Sequence, residues 1–191
     1  MSQTKILGEY AFRKTEMIAG FNFTAAGTFQ FFFSYGAVDR SAAGTFTVEG
    51  NTIKLTSNKE AGKDFTVTAQ SKDATGYTIN FTHANKYLLQ NIYCVFFLNG
   101  EKQEAVTDNK GEIHVDLAHC DSIYAKHLLF PDIVTQVKDA GNENNRFTLA
   151  LNPSLEQLSF KGIDLTIEND GSLSWLPNYF LEMSGVKFIK Q

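Results

Sequence analysis

The fold class is decided by residues 28–35, TFQFFFSY. Aromatic and other side chains alternate in this stretch, and residues two apart point to the same face of a β-strand. The pattern predicts a strand with one aromatic face, while Phe32 adds a ring to the opposite face. The aromatic face consists of Phe29, Phe31, Phe33 and Tyr35.

The same period of two continues beyond this strand. Residues 46–48 and 53–55 alternate apolar and polar side chains, and the sequence EGN at 49–51 between them is typical of a hairpin turn. Residues 65–67 and 77–81 are predicted to pair with each other, so that an antiparallel meander fills the first half of the chain. Helical spacing of apolar residues is rarely sustained beyond two turns, and this predicts an all-β protein.

The second half of the chain is predicted to continue in strands. Asn-Gly at 99–100 stands between two apolar runs and is a strong hairpin signal, because both residues tolerate a positive φ. The sequence NDG at 169–171 predicts another hairpin. Asn152 followed by Pro153 predicts one helical turn over 152–158, with Asn as the N-cap.

Short motifs in the first half resemble a known family. They are GEY at 8–10, AGTF at 26–29, GTF at 44–46 and IKL at 53–55. This set is similar to the small lipocalin-like barrels of bacterial proteins such as the copper-resistance lipoprotein family. The chain has Ala26 where that family has Asp, Phe46 where it has Trp, and no lipoprotein cysteine.

A second resemblance covers residues 92–138. Thr107 and Asp108 are followed by Gly111, which gives the Thr-Asp-x-x-Gly turn of a hairpin. This turn and its flanking strands resemble the carboxypeptidase regulatory-like, prealbumin-like β-sandwich. The resemblance implies a fold and carries no function with it.

The polar segment 83–86 is the candidate domain boundary. Residues 1–84 are predicted to form the lipocalin-like antiparallel meander, and residues 85–191 the prealbumin-like β-sandwich. The expected fold is therefore all-β: an antiparallel lipocalin-like barrel or half-barrel followed by a prealbumin-like β-sandwich.

Charge argues against two classes of partner. The 17 basic residues are scattered among 21 acidic ones and the net charge is −4, whereas nucleic-acid-binding proteins concentrate basic residues on one face. We expect no nucleic-acid partner. Even the apolar run 92–98 is far shorter than a membrane span, so no membrane span is expected.

The N-terminal segment and the cysteines bear on the compartment. Residues 1–9 lack the apolar segment of a signal peptide, which predicts a cytoplasmic location. Export with a removed signal peptide is the alternative. In a reducing compartment, Cys94 and Cys120 are expected to be unpaired, buried small hydrophobes.

Candidate nucleophiles and metal ligands gather between His114 and His127, where His119, Cys120 and Asp121 also lie. Adjacent residues of a strand point to opposite faces, so His119 cannot orient Cys120 for nucleophilic chemistry. The sequence has no closely paired zinc ligands and no glycine-rich phosphate loop. We therefore predict no metal, no cofactor and no enzymatic activity.

Aromatic clusters supply the candidate binding residues. The aromatic face of residues 29–35 is predicted either to line a cavity for a small apolar ligand or to fill the core of a barrel. Trp175, Tyr179 and Phe180 flank Pro177, which cannot donate to a central ladder and therefore predicts a loop. If exposed in that loop, these three aromatics would form an interaction surface; if buried, they would close one end of the sandwich.

The sequence supports two hypotheses of function. The first is a non-enzymatic binding or protein-interaction module that uses the mouth of the barrel or the loop around Trp175. The alternative is a carrier that encloses a small apolar ligand among the aromatic side chains of the barrel. The ligand, the protein partner and the oligomeric state are left open.

Overall fold

The computed structural model describes residues 6–73 and 75–191. Over these residues the chain forms sixteen strands and a short 3₁₀ helix at Lys86–Leu89. The strands are β1 (Gly8–Lys14), β2 (Met17–Phe23), β3 (Thr28–Tyr35), β4 (Val38–Glu49), β5 (Thr52–Ser57), β6 (Phe65–Ser71), β7 (Tyr77–Thr82), β8 (Ile92–Leu98), β9 (Glu101–Val106), β10 (Glu112–Val115), β11 (Ser122–His127), β12 (Thr135–Lys138), β13 (Arg146–Leu151), β14 (Leu165–Ile167), β15 (Leu173–Ser174) and β16 (Lys187–Lys190).

The chain divides into two compact units. Unit 1 consists of residues 1–61 and 156–191, and unit 2 of residues 62–155. This division differs from the predicted boundary between residues 84 and 85. The reason is that the C-terminal strands β14 and β16 pair with β5 and β1 in the first third of the chain, so the sequence of unit 2 is inserted into that of unit 1.

Unit 1 is a closed antiparallel barrel in the strand order β1-β16-β15-β14-β5-β4-β3-β2. Strands β1 to β5 form a meander in which each strand pairs with the next. Strand β14 then pairs with β5, and β16 pairs with β1 to close the barrel. Closure leaves no free strand edge in this sheet.

Alternation in β3 builds the barrel core. Phe29, Phe31 and Phe33 are buried, while Gln30 and Phe32 between them are exposed on the outer face. Rings from the neighbouring strands and from the C-terminal segment join them in one hydrophobic cluster. The predicted all-β barrel is confirmed.

Unit 2 contains two antiparallel-rich sheets of four strands, in the orders β10-β7-β13-β6 and β12-β11-β8-β9. Side chains of the two sheets meet in its core, where the rings of Tyr77 and Phe96 lie 6.0 Å apart. The backbone N–H of Cys120 donates to the Tyr77 hydroxyl at 3.1 Å. A sandwich is thus present, but it lies within the barrel sequence and does not follow it.

One predicted strand pairing is wrong. Strands β6 and β7 do not pair with each other, because β13 lies between them. It runs antiparallel to β6 and parallel to β7. The meander therefore ends at β5, and β13, from much further along the chain, pairs with both β6 and β7.

The predicted helical turn at 152–158 is also wrong. Leu155 N–H donates to the Asn152 carbonyl at 3.0 Å in a simple turn. The Asn152 side chain accepts from the Thr66 hydroxyl at 2.9 Å and donates to the Lys63 carbonyl at 2.8 Å, so it does not cap a helix. Asn85 is the residue that acts as an N-cap, at the 3₁₀ helix.

The predicted hairpins at 49–51, 99–100 and 169–171 are confirmed. The turn at 107–111 does not close a hairpin, because it joins β9 and β10, which lie in different sheets. Asn99 and Gly100 both have positive φ, at 52° and 83°, between the paired strands β8 and β9. Gly171, at φ 80°, turns the chain between β14 and β15. In the described ranges, the structure contains no helix with the length and apolar character needed to cross a bilayer.

Candidate functional site

The predicted aromatic face is mainly core. Phe29, Phe31 and Phe33 are buried inside the barrel, whereas Tyr35 at the end of β3 is 51% exposed. The Phe31 ring lies 4.7 Å from that of Phe21, and the rings pack edge-on or tilted, as aromatic pairs prefer. Core filling is the alternative that this geometry supports.

The residues of the predicted interaction surface belong to the same barrel core or pack against it. Trp175 and Phe180 are buried, and their rings lie 5.9 Å and 6.2 Å from that of Phe31. Tyr179 is half-buried, and its hydroxyl donates to the Ser159 carbonyl. These aromatics therefore do not present an exposed surface. Trp175 and Phe180 pack in the barrel interior, and Tyr179 is held by its hydrogen bond to Ser159.

The Trp175 indole N–H is buried in this core. Its Nε1 has no hydrogen-bond partner among the described residues. The ring is surrounded by aromatic neighbours, including Phe160 and Phe188 at 6.3 Å and 5.1 Å. An unpaired buried N–H costs free energy, so apolar packing around Trp175 outweighs the loss.

A groove lies on the outside of the barrel, over strands β1 to β4. Its volume is about 830 Å³. We call it the outer groove. Outward-facing residues of these strands and residues of nearby segments line it: Glu9, Ala11, Arg13, Asn22, Gln30, Phe32, Ser41, Ala43, Asn58, Gln157 and Gln191. The lining also includes Tyr10, Phe21, Phe31 and Ala42, whose side chains are buried in the barrel.

One row of paired residues forms the floor of the outer groove. Ala11 is opposite Gly20, and Gly20 is opposite Phe32. A Cβ on Gly20 would be only 2.5 Å from Phe32 Cε1, so the phenyl ring occupies the space above the glycine. The row continues to Ser41 on one side and to Ile189 on the other. Small residues thus make room for one half-exposed ring.

A second row runs beside the first and is polar. Glu9 is opposite Asn22, and Asn22 is opposite Gln30, on three successive strands. Within the described part of the chain, no hydrogen bond occupies any of these three side chains. Amide groups both donate and accept, so the row offers both kinds of hydrogen bond to a ligand.

Charge in the outer groove is balanced. In the part of the chain that the structure describes, Glu9 and Arg13 are the charged lining residues, and both extend from the outer face of β1. The remaining lining side chains are amides, hydroxyls and apolar groups. The groove therefore suits a polar, uncharged ligand with one apolar face.

The sequence contains the signal for this site, but the signal is incomplete. Alternation places Phe32 and Gln30 outside the barrel, and a glycine within a strand often marks a close approach by another group. Asn22 and Glu9 become neighbours of Gln30 only through strand register. The outer groove therefore does not follow from local sequence patterns.

The histidines between β10 and β11 do not assemble a reactive site. His114 and His119 are exposed, at 3.1 Å from the Thr78 hydroxyl and 3.3 Å from an Asp121 oxygen. His127 is buried, its Nδ1 accepts from Leu129 N–H, and its Nε2 is 3.2 Å from the Leu88 carbonyl. Among residues 6–73 and 75–191, no three His, Cys, Asp or Glu side chains form a metal-binding group.

The cysteines are also unsuited to nucleophilic chemistry. Cys94 and Cys120 are unpaired and buried, as predicted. Burial raises the pKa of both thiols, which disfavours the reactive thiolate. Burial likewise raises the pKa of Tyr77, whose hydroxyl contacts Cys120, to about 12.

Comparison with known proteins adds no further constraint. No protein-family model, curated protein or solved structure matches the chain. Function is therefore inferred from the geometry of the outer groove.

Proposed function

We propose that the chain is a non-enzymatic binding module that recognises its ligand in the outer groove of the barrel. The observation that carries this proposal is the Phe32 ring, 47% exposed and seated over Gly20 in a groove of about 830 Å³. This volume lies in the range of small-molecule sites, which combine apolar contact with a few polar groups.

The composition of the groove supports binding over catalysis. Among the residues that the structure describes, Glu9 is the single carboxylate in its lining, and no His, Cys or Lys lines it. Hydrolysis by acid and base requires two cooperating groups, and nucleophilic catalysis requires a nucleophile with an adjacent base. The outer groove offers hydrogen bonds and one aromatic ring, which are means of recognition.

The carrier hypothesis receives less support from the geometry. The barrel interior is filled by rings, such as Phe21 against Phe31 and Phe33 against Phe180, whose centroids are 4.7 Å and 4.8 Å apart. An internal ligand would have to displace them. The protein partner, the cytoplasmic location and the likeness to lipocalin-like and prealbumin-like domains stay predictions.

A fragment titration tests the proposed function while the ligand is unidentified. A mixture of small polar and aromatic fragments is added to ¹⁵N-labelled protein, and backbone amide shifts are recorded. We expect the shifts to concentrate in strands β1 to β4. The variant Ala11→Arg fills the floor of the groove and should abolish them, because Ala11 is opposite Gly20 in the row beneath the ligand.

The matched control is Thr47→Arg. Thr47 is exposed on the outer face of β4, beyond the residues that line the groove, so this variant adds the same side chain elsewhere. It should retain the shifts. Shifts confined to unit 2, or shifts that persist in Ala11→Arg, would contradict the proposed function.

A further inference from the structure

We propose that the outer groove binds a neutral saccharide, with one sugar ring stacked on Phe32 and its hydroxyls bonded to the polar row of Glu9, Asn22 and Gln30. This proposal rests on the proposed function and names its ligand class. Three observations carry it: the seated ring, the unoccupied amides and the balance of charge.

The Phe32 ring provides the apolar contact. A phenyl ring has a negative π face, and the C–H groups on one face of a sugar ring carry the complementary partial charge. Gly20 keeps the ring against the sheet, because Phe32 Cε1 lies where a Cβ would be. The ring is therefore positioned before the ligand arrives, which reduces the entropy lost on binding.

The polar row provides the hydrogen bonds. A sugar hydroxyl both donates and accepts, as does the side-chain amide of Asn22 or Gln30, while the Glu9 carboxylate accepts. These side chains stand on adjacent strands, about 4.8 Å apart, in a line parallel to the floor of the groove. With this spacing, several side chains can each form a hydrogen bond to a different hydroxyl of a ligand whose hydroxyls recur at regular intervals. The four strands extend over about 14 Å, which suits a short oligosaccharide.

Other classes of ligand fit less well. A phosphate or sulfate group is bound best by several cations, and Arg13 is the single basic residue among the described residues of the lining. A wholly apolar ligand would remove the water from Asn22 and Gln30 and leave their amides unpaired. An extended peptide adds to a free strand edge, whereas strands β1 to β4 are paired on both sides within the closed barrel.

The experiment is a titration of the full chain with neutral trisaccharides of glucose, galactose, mannose and N-acetylglucosamine, followed by amide shifts. We expect at least one trisaccharide to bind, with shifts in strands β1 to β4. Phe32→Ala should lower the affinity at least tenfold, because the apolar platform is lost. Phe32→Tyr should retain binding, because its ring keeps the same face.

The variant set also separates loss of contact from loss of fold. Phe32 is on the outer face, so Phe32→Ala should keep the unfolding midpoint close to that of the parent protein. Gln30→Ala should lower the affinity for the same trisaccharide. Thr47→Ala, on the same face of the barrel, should leave that affinity unchanged. Loss of binding in both the Phe32 and the Gln30 variants at unchanged midpoint supports the proposal.

Two further ligands distinguish the possible failures. A trisaccharide of galacturonic acid tests for an anionic ligand, and a heptapeptide with a central aromatic residue tests for a peptide. If either shifts the groove residues while no neutral trisaccharide does so at millimolar concentration, the saccharide proposal is wrong and the proposed function stands. Both proposals are wrong if the amide shifts of the groove residues respond to none of the ligands: the galacturonic acid trisaccharide, the heptapeptide, the neutral trisaccharides and the fragments.

Discussion

Two neighbouring residues of strand β3 differ sharply in burial. Phe31 is 3% exposed and packs among rings inside the barrel, while Phe32 is 47% exposed and lies over Gly20 outside it. The chemistry of the two side chains is identical. Strand alternation alone places one in the core and the other in the proposed binding site.

Phe31→Ala should lower the free energy of unfolding by about 3–5 kcal/mol, through lost burial and the cavity left behind. The matched change Phe32→Ala should cost far less, because its ring is half exposed. Denaturant unfolding followed by the fluorescence of Trp175, the single tryptophan, measures both. A loss below about 1 kcal/mol for Phe31→Ala would mean an open interior and would favour the carrier hypothesis.

At the scale of elements, the barrel is closed by short strands. Strands β14 and β15 have only three and two residues, so few backbone hydrogen bonds hold them between β5 and β16. A side-chain contact supplements them: Lys187 Nζ of β16 donates to Asp170 in the β14–β15 turn at 2.7 Å. Ser172 also donates to this carboxylate, from its backbone N–H and its hydroxyl.

Asp170→Asn should reduce the stability of the protein at neutral pH. It should also reduce the further loss of stability as the pH falls. The hydrogen bonds from Lys187 and Ser172 hold the pKa of the Asp170 carboxyl well below its ordinary value. A carboxyl with a lowered pKa stabilises the fold above its unfolded pKa of about 3.9, and this stabilisation is lost as the pH falls toward the lower folded value.

Thermal midpoints of the parent protein and of Asp170→Asn, taken from pH 7 to pH 2, check this prediction. The parent should have the higher midpoint at pH 7, and the difference should shrink below about pH 4. Asp39→Asn is the control, because no side-chain hydrogen bond or ion pair of Asp39 occurs in the described part of the chain. A constant difference between parent and Asp170→Asn at all pH values would contradict the electrostatic explanation.

At the scale of the whole molecule, the first and the last strand of unit 2 are neighbours, so the two ends of this unit lie close together. Phe65 and Leu151, near its two ends, are opposite each other in β6 and β13. The two segments of unit 1 that flank it are adjacent as well, since Lys59 Nζ donates to the Gln157 carbonyl at 2.7 Å. Adjacent ends are typical of an inserted domain.

A chain in which residues 62–155 are replaced by a short Gly-Ser linker should still fold into the barrel. Its Trp175 emission should be blue-shifted and resistant to acrylamide, and its unfolding should be cooperative, because the barrel cluster consists of residues of unit 1. Removal of residues 186–191 from this chain deletes β16 and the fully buried Phe188, and should abolish the fold. A red-shifted, easily quenched emission before that removal would contradict the independence of unit 1.

Local sequence patterns were sufficient to predict strand β3 and the β8–β9 hairpin. The alternation of residues 28–35 predicts β3 and its buried face, and Asn-Gly at 99–100 predicts the β8–β9 turn, because both signals act between residues that are neighbours in the chain. The same alternation places Phe32 on the outside. These local rules fix which side chains share a face.

Strand pairing, in contrast, is settled by the tertiary structure. The closure of the barrel by β16 against β1 and the insertion of β13 between β6 and β7 join segments far apart in sequence. The outer groove depends on this pairing, since Glu9, Asn22 and Gln30 form a row only in the observed register. The physical reason is that many strands with an apolar face are equivalent locally, and the best common burial of the whole chain selects among them.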